Sequence, residues 1–229
     1  MKKHYLIAST GILLGSLTIA QATQIGFGQL GGNNVNLPSS LGSNATVDGL
    51  GYVVSIGGAT PNISLTWDSN WDIHTSSYFD PLENQTVGGG AWDNEGGVAR
   101  IGQLDLGFHT IRFSVDPGYA LLLSSFDFGH TAETAGTTKW TLSLTDSSAT
   151  TVWQQLVVFE GGQVHTITPN FAGELGESYT LNFFRTEQSY GSDGRHGIDN
   201  LTFSQIVPEP SVAAMTGIAW LGFLVRRRK

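Results

Sequence analysis

The sequence predicts an all-β protein, an antiparallel β-sandwich of jelly-roll-like topology, flanked by an N-terminal signal peptide and a C-terminal hydrophobic anchor helix. Three observations lead to this fold class. Several stretches alternate apolar and polar residues at a period of two, which is typical of strands with one buried face. Turn-forming residues separate these stretches, and glycine is abundant at 30 residues. No segment of about twelve residues has helical periodicity outside the two ends.

The chain begins with a segment that has the three parts of a secretory signal. Lys2 and Lys3 precede an apolar run over residues 6–19, and small residues follow around Ala22. The run is about 14 residues long, shorter than the roughly 18 to 20 that a permanent transmembrane helix needs. We therefore predict that residues 1–22 are a signal peptide cleaved after Ala22. A buried N-terminal helix is the alternative.

The body of the chain contains five alternating stretches that we interpret as strands with a buried face. Their apolar positions are Ile63, Leu65 and Trp67; Ile111, Phe113 and Val115; Trp140, Leu142 and Leu144; Tyr179, Leu181 and Phe183; Leu201 and Phe203. A sixth stretch, residues 152–159, is apolar in both phases apart from two glutamines, and the pattern favours a central strand. About nine to eleven short strands predict a sandwich, with an immunoglobulin-like sandwich of about 100 residues as the alternative topology.

Between the two ends, residues 23–206 are predicted to form one domain, which is long enough for a substantial core. This part keeps five of the eleven basic residues and eighteen of the nineteen acidic ones, a net charge of −13. Nucleic acid and anionic lipid are therefore poor partners, while cations, neutral sugars and proteins remain. Because the chain has no cysteine, disulfides, thiol nucleophiles and thiolate metal sites are excluded.

One long region without a clear periodic pattern, roughly residues 68–97, combines aromatic rings with carboxylates. Long loops in compact domains are often functional. Aromatic faces pack against the apolar face of a sugar ring while nearby carboxylates bind its hydroxyls. We therefore select a candidate ligand-binding set from this region: Trp71, Tyr78, Trp92 and Asp93. The alternative is that these aromatics seal one end of the sandwich.

The same region opens with a candidate calcium site. Asp68 and Asp72 have the D-x-N-x-D spacing at which alternate side-chain oxygens can converge on a hard cation. The full loop pattern is incomplete, because Ile73 and Phe79 stand where a turn glycine and a bidentate glutamate belong. The alternative is an Asx-turn at the end of a strand.

A second candidate metal ligand lies in the last predicted strand. Residues 197–203 resemble the closing strand of carbohydrate-binding jelly rolls, and the resemblance implies that Asp199 helps to hold a buried structural calcium. The alternative is a carboxylate that accepts backbone hydrogen bonds. No other cofactor is expected.

Catalytic motifs are missing from the sequence, and we expect a protein that is not an enzyme. The G-x-S-x-G nucleophile elbow and the H-E-x-x-H zinc helix are both absent. Carboxylates suited to glycoside hydrolysis are numerous, but no pair is distinguished by a motif. A glycan-degrading enzyme that uses Asp93 or Glu95 is therefore kept as an alternative.

The chain ends with a tripeptide, an apolar segment and a basic cluster in that order. Residues 211–225 are almost wholly apolar, and the cluster that follows consists of Arg226, Arg227, Arg228 and Lys229. The basic cluster predicts a cytoplasmic C-terminus, with the rest of the chain outside. Residues 207–229 resemble the PEP-CTERM sorting signal, with Pro208, Glu209 and Pro210 at the positions of its recognition tripeptide.

That resemblance implies an exosortase-type processing enzyme as a partner and a precursor anchored transiently in the inner membrane. Cleavage would then pass the protein to the cell surface or the extracellular matrix. Together with the acidic all-β body, this leads us to expect an exported protein that binds or organises extracellular polysaccharide. A purely structural coat protein is the further alternative.

Overall fold

The computed structural model of this 229-residue chain describes residues 22–27, 35–44, 53–56, 60–69, 71–74, 98–101, 108–130, 137–160, 163–188 and 196–206. Within these ranges the chain forms strands and turns and no helix. None of them contains a helix long and apolar enough to cross a membrane. The predicted sorting tail and all but the last residue of the predicted signal peptide lie outside the described residues.

Fourteen strands lie in the described ranges, and every strand pair is antiparallel. They are β1 (Ala22–Ile25), β2 (Val35–Asn36), β3 (Val53–Ile56), β4 (Ile63–Trp67), β5 (Trp71–His74), β6 (Val98–Ile101), β7 (Phe108–Val115), β8 (Ala120–His130), β9 (Thr137–Thr145), β10 (Thr151–Glu160), β11 (Val164–Ile167), β12 (Phe171–Ala172), β13 (Tyr179–Gln188) and β14 (His196–Ile206). The sequence predicted fewer, because strands of two residues such as β2 and β12 are too short to show a period of two.

The strands form two larger sheets and one small one. A five-stranded sheet has the order β10-β9-β13-β7-β4. A second sheet has the order β11-β8-β14-β6-β5-β2, with β12 also paired to β8, and β1 pairs with β3. The chain crosses between the larger sheets after β4, β6, β7, β8, β10, β12 and β13.

The core lies between the two larger sheets, where the apolar phase of each strand is buried. All five alternating stretches place their apolar side chains in this core, as predicted. Rings from opposite sheets meet edge to face: Phe113 contacts Phe203 at a centroid distance of 5.6 Å, and Phe183 contacts Phe128 at 5.5 Å. The predicted antiparallel β-sandwich is therefore confirmed.

The β4 edge of the five-stranded sheet is covered by residues 39–44, which we call the β4 cover. Three hydrogen bonds join the two segments: Trp67 N–H donates to Ser39 O (2.9 Å), Leu65 N–H to Ser43 Oγ (2.7 Å), and Asn44 N–H to Ile63 O (2.8 Å). Gly42 turns this segment with a φ of 78°, and a Cβ at Gly42 would collide with Ile25 Cδ1. The cover satisfies the backbone of β4 that would otherwise face solvent.

The opposite edge of the same sheet is β10, and the prediction of a central strand at residues 152–159 is wrong. Val157 and Phe159 are buried, but Val152 is 40% exposed and Leu156 is 59% exposed. Among the described strands only β9 pairs with β10. A run that is apolar in both phases is typical of a strand buried on both faces, and it does not distinguish that strand from an edge strand whose outer face is apolar.

Candidate functional site

The outer face of the five-stranded sheet, which points away from the core, carries large apolar side chains among polar ones. Phe108 of β7, Phe184 of β13 and Leu156 of β10 are 57%, 46% and 59% exposed. The described chain has only two further exposed large apolar side chains, Val152 and Leu175. Exposed apolar surface is therefore concentrated on this face, and such concentrations mark interaction sites.

The strand register aligns these side chains across the sheet. Phe184 lies opposite Phe108 on one side and opposite Thr141 on the other, and Thr141 lies opposite Leu156. Residues directly opposite in an antiparallel pair project to the same face. We call these four residues the exposed row. Because neighbouring strands are about 4.8 Å apart, the row runs about 14 Å across the strands.

A parallel row of polar side chains lies next to the exposed row, and we call it the polar row. In the same strand order it consists of Thr110, Asn182, Ser143 and Gln154. The Nδ2 group of Asn182 donates to Thr180 O (3.0 Å) and to Ser143 O (3.3 Å), so the sheet itself fixes this amide. Hydroxyls and amides can both donate and accept hydrogen bonds, which suits ligands rich in hydroxyl groups.

The charges on this face nearly cancel. Among the described strand residues the outer face carries two basic side chains, Arg112 and Lys139, and two acidic ones, Glu160 and Glu187. At the end of β4, Asp68 adds one carboxylate, which bonds to Thr110. Lys139 Nζ and Glu187 Oε2 form an exposed ion pair at 2.5 Å. The face is therefore close to neutral, although residues 23–206 carry a net charge of −13.

This arrangement can bind a ligand that has both apolar and hydroxyl surfaces. Two phenyl rings on adjacent strands offer apolar area at fixed positions, and the polar row lies one side-chain repeat along the strands.

Of the sequence-predicted ligand-binding residues, Trp71 lies in the core. It belongs to β5, has no exposed surface, and contacts the rings of Trp67 and Phe183 at centroid distances of 5.4 and 5.3 Å. Its Nε1–H donates to Thr110 O (3.1 Å). A ring buried in this way has no face for a sugar, so the structure contradicts a platform role for Trp71 and agrees with the packing alternative.

Asp68 and Asp72, the candidate calcium pair, lie on either side of the turn between β4 and β5. Asp68 Oδ2 accepts the N–H of Thr110 (2.5 Å), and Asp68 Oδ1 lies 3.9 Å from Nδ1 of the buried His109. Asp72 belongs to β5, where it lies opposite Asn36 of β2. Asp68 thus links the end of β4 to β7.

Asp199 is fully buried in β14 and accepts the N–H of Asn200 (2.7 Å) on Oδ1. Asn200 has a left-handed φ of 52° at the irregularity in the register with β8. Its amide donates to Asp127 Oδ2 (3.0 Å) and accepts from Gln24 Nε2 (2.6 Å). Across the described part of the chain, no three histidine, cysteine, aspartate or glutamate side chains form a group that could hold a metal ion. Calcium at Asp199 or at Asp68 and Asp72 stays a prediction.

The other sequence-predicted site residues lie outside the described residues. They are Tyr78, Trp92 and Asp93 of the candidate ligand set, Pro208, Glu209 and Pro210 of the sorting tripeptide, and Arg226, Arg227, Arg228 and Lys229 of the basic cluster. Each of these assignments stays a prediction.

The exposed row was missed in the sequence, although a signal for it was present. Phe108 lies in the polar phase of β7, which continues with Thr110 and Arg112, and Phe184 lies in the polar phase of β13, between Asn182 and Thr186. An aromatic residue in the polar phase of an alternating strand is predicted to be exposed. What the sequence could not supply was the register that places the two rings on neighbouring strands.

No protein-family model matches the chain, and no curated protein matches it. Solved structures with some likeness include an arabinose-bound α-L-arabinofuranosidase, at 9% identity and a TM-score of 0.34, covering 62% of this chain and 23% of that one. A family 61 carbohydrate-binding module in complex with β-1,4-galactotriose matches at 14% identity and a TM-score of 0.28, covering 64% and 88%. A family 11 carbohydrate-binding module from Clostridium thermocellum matches at 11% and 0.26, covering 78% and 100%. At 9–14% identity and TM-scores of 0.26–0.34, these matches show no shared family.

Proposed function

We propose that this chain is an exported cell-surface or extracellular-matrix protein that binds or organises polysaccharide through the outer face of its five-stranded sheet. The observation that carries the proposal is the exposed row, in which Phe108, Phe184 and Leu156 are aligned by the strand register and remain about half exposed. A row about 14 Å long matches an extended ligand better than a compact one.

The physical argument begins with the two phenyl rings. An aromatic face and the C–H face of a sugar are both apolar, so their contact removes apolar area from water at about 25 cal/mol per Å². The rings stand on adjacent strands of a sheet, which limits the entropy lost when a ligand orders them. Thr110, Ser143 and Gln154 of the polar row then supply hydrogen bonds to hydroxyl groups along the same ligand. Asn182 is buried and its amide bonds to the sheet, so it holds the row in place.

The charge distribution favours a neutral glycan. The domain as a whole, at −13, repels polyanions, while the outer face carries two charges of each sign among its described strand residues. A neutral polysaccharide meets no electrostatic repulsion on this face. We expect an acidic glycan to bind only through a local contact with Arg112.

For the topology, we propose a jelly roll, because the chain crosses repeatedly between the two antiparallel sheets. For the location, we propose export through the signal peptide, residues 1–22, and transient inner-membrane anchoring by residues 207–229. Exosortase-type processing at Pro208, Glu209 and Pro210 is then the step that releases the domain. The support for both is the order of residues at the two ends of the chain.

Export is tested in the producing cells by fractionation and by measuring the mass of the mature chain. Replacing Glu209 with alanine should leave the full-length tail in the membrane fraction, while the native chain appears at the surface with a shorter C-terminus. Equal processing of both chains would show that the tripeptide is not the recognition signal.

Glycan binding is tested by affinity electrophoresis of the protein purified from producing cells, against neutral polysaccharides and those of the cells themselves. Phe184→Thr keeps a residue that favours strands and removes one ring, and should weaken binding about five- to thirtyfold, or roughly 1–2 kcal/mol. The matched control is Leu175→Thr, which removes an apolar side chain of similar exposure (58%) from the turn between β12 and β13.

The proposal would be contradicted if every glycan that binds retarded the Phe184→Thr variant as strongly as the native chain. Release of sugars from any of these polysaccharides would instead favour the glycan-degrading alternative, and loss of that activity on replacing Asp93 or Glu95 would assign it to the region of residues 68–97.

A further inference from the structure

We propose that β10 is a self-pairing edge: it pairs antiparallel with β10 of a second copy of this chain and joins two five-stranded sheets into one sheet of ten strands. The inference comes from the backbone and composition of β10 and does not rest on glycan binding. Pairing of two β10 strands would explain why a strand so rich in apolar residues lies at an edge.

The backbone of β10 has one edge unused among the described strands. β10 pairs with β9 over almost its whole length, and the N–H of Glu160 donates to Gln163 Oε1 (3.1 Å), away from β9. Alternate residues of a strand direct their N–H and C=O groups to opposite edges. The backbone groups of Gln154, Leu156 and Val158 therefore face the same open side as Glu160.

The two edges of the five-stranded sheet differ in whether another segment is bonded to them. The β4 edge is bonded to the β4 cover, whereas no described segment pairs with the open side of β10. The edges of the second sheet are short, with two residues in β2 and four in β11. Among the described strands, β10 is thus the one long edge, at ten residues, that can template another strand.

The sequence of β10 lacks most of the features that normally prevent an edge strand from pairing with another strand. Residues 151–159 contain no charge, proline or glycine, and the only irregularity is the register shift between Thr151 and Trp153. Two copies of a domain with a charge of −13 repel each other over most of their surfaces. The uncharged segment is where identical chains can approach without placing like charges opposite each other.

A two-fold axis at Leu156 fits these residues. Leu156 of one copy then lies opposite Leu156 of the other, so that the most exposed apolar side chains of the two strands pack side by side. Gln154 lies opposite Val158 of the other copy in this register. The interface is isologous, the arrangement of most homodimers, and the exposed row of one copy continues into that of the other.

The cysteine-free chain allows a direct test. A Leu156→Cys variant of the full chain, purified in mild detergent, should form a disulfide-linked dimer under gentle oxidation. The matched control is Thr66→Cys, because Thr66 is also exposed on the outer face but lies on the covered edge strand β4. The control should stay mostly monomeric, and it also reports any cross-linking caused only by shared micelles.

Sedimentation of variants without cysteine gives a second measurement. The native chain should sediment as a dimer, Leu156→Lys as a monomer, and Leu175→Lys as a dimer, since Leu175 lies off this edge. Equal cross-linking of the two cysteine variants, or sedimentation that Leu156→Lys leaves unchanged, would overturn the proposal. Both measurements are made without glycan, so a failed pairing test does not affect the glycan proposal.

Discussion

Replacing Trp71 with phenylalanine separates a core role for this residue from a ligand-binding role. The native ring is fully buried against Trp67 and Phe183, and its Nε1–H donates to Thr110 O at 3.1 Å. Phenylalanine keeps an aromatic ring at this position but lacks the donor and the second ring. The variant is therefore expected to fold with lower stability and to bind glycan as tightly as the native chain.

The size of the effect follows from these contacts. The Thr110 carbonyl keeps a second donor, the N–H of Asp68 at 3.3 Å, so the lost hydrogen bond costs about 0.5–1.5 kcal/mol and leaves no orphaned group. The smaller ring leaves a cavity that costs roughly a further 1–2 kcal/mol. A total of about 1.5–3.5 kcal/mol lowers Tm by roughly 3–14 °C for a domain of this size.

The assay combines thermal unfolding, followed by circular dichroism, with glycan affinity measured well below the transition. Phe184→Thr is the companion variant, since it alters the exposed row and should leave Tm within a few degrees. The reasoning is refuted if Trp71→Phe keeps the native Tm and loses glycan affinity, because Trp71 would then act at a binding surface. It is also refuted if Phe184→Thr lowers Tm as much as Trp71→Phe does.

Three further predictions concern the rest of the sandwich. Gly173→Ala should cost about 1–3 kcal/mol of stability in denaturant unfolding, because its Cβ would lie 2.5 Å from the buried Tyr179 ring, while the exposed Ala172→Ser should be neutral. Burial raises the pKa of Tyr179 above its ordinary 10.0, so the folded state favours the neutral phenol. The stability that this group contributes is complete below pH 10 and is lost as the pH rises through the raised pKa. Tyr179→Phe should lessen that loss in unfolding measured at alkaline pH. If calcium binds at Asp199, a chelator should lower Tm in the native chain and not in Asp199→Asn; equal Tm values with and without the chelator would contradict the calcium prediction.

The fold was predictable because it depends on a local pattern. Alternation at a period of two identified the buried faces of β4, β7, β9, β13 and β14, since each of these strands has one face in the core. The same reasoning failed for β10, where apolar residues in both phases suggested a central strand. It also missed β5, because four residues are too few to show a period within a region full of aromatics.

The candidate site was less predictable, because it depends on register. The sequence predicts binding rings in the region of residues 68–97, and the one described member of that ligand set, Trp71, is buried. The exposed rings lie instead in the strands, and Phe108 and Phe184 are 76 positions apart in the sequence. Their adjacency is a property of the β7–β13 pairing, which no local pattern in either strand specifies.

The β4 cover determines how far assembly through sheet edges can proceed. A sheet with two open edges can add copies at both ends without limit, and the product is a fibre. Here residues 39–44 bond to the backbone of β4. When two copies join through β10, the ten-stranded sheet therefore has a covered β4 strand at each of its outer edges. Growth then stops at two chains. A surface layer built from this protein would consist of discrete, separable pairs, and a deletion that uncovered β4 would convert them into a continuous polymer.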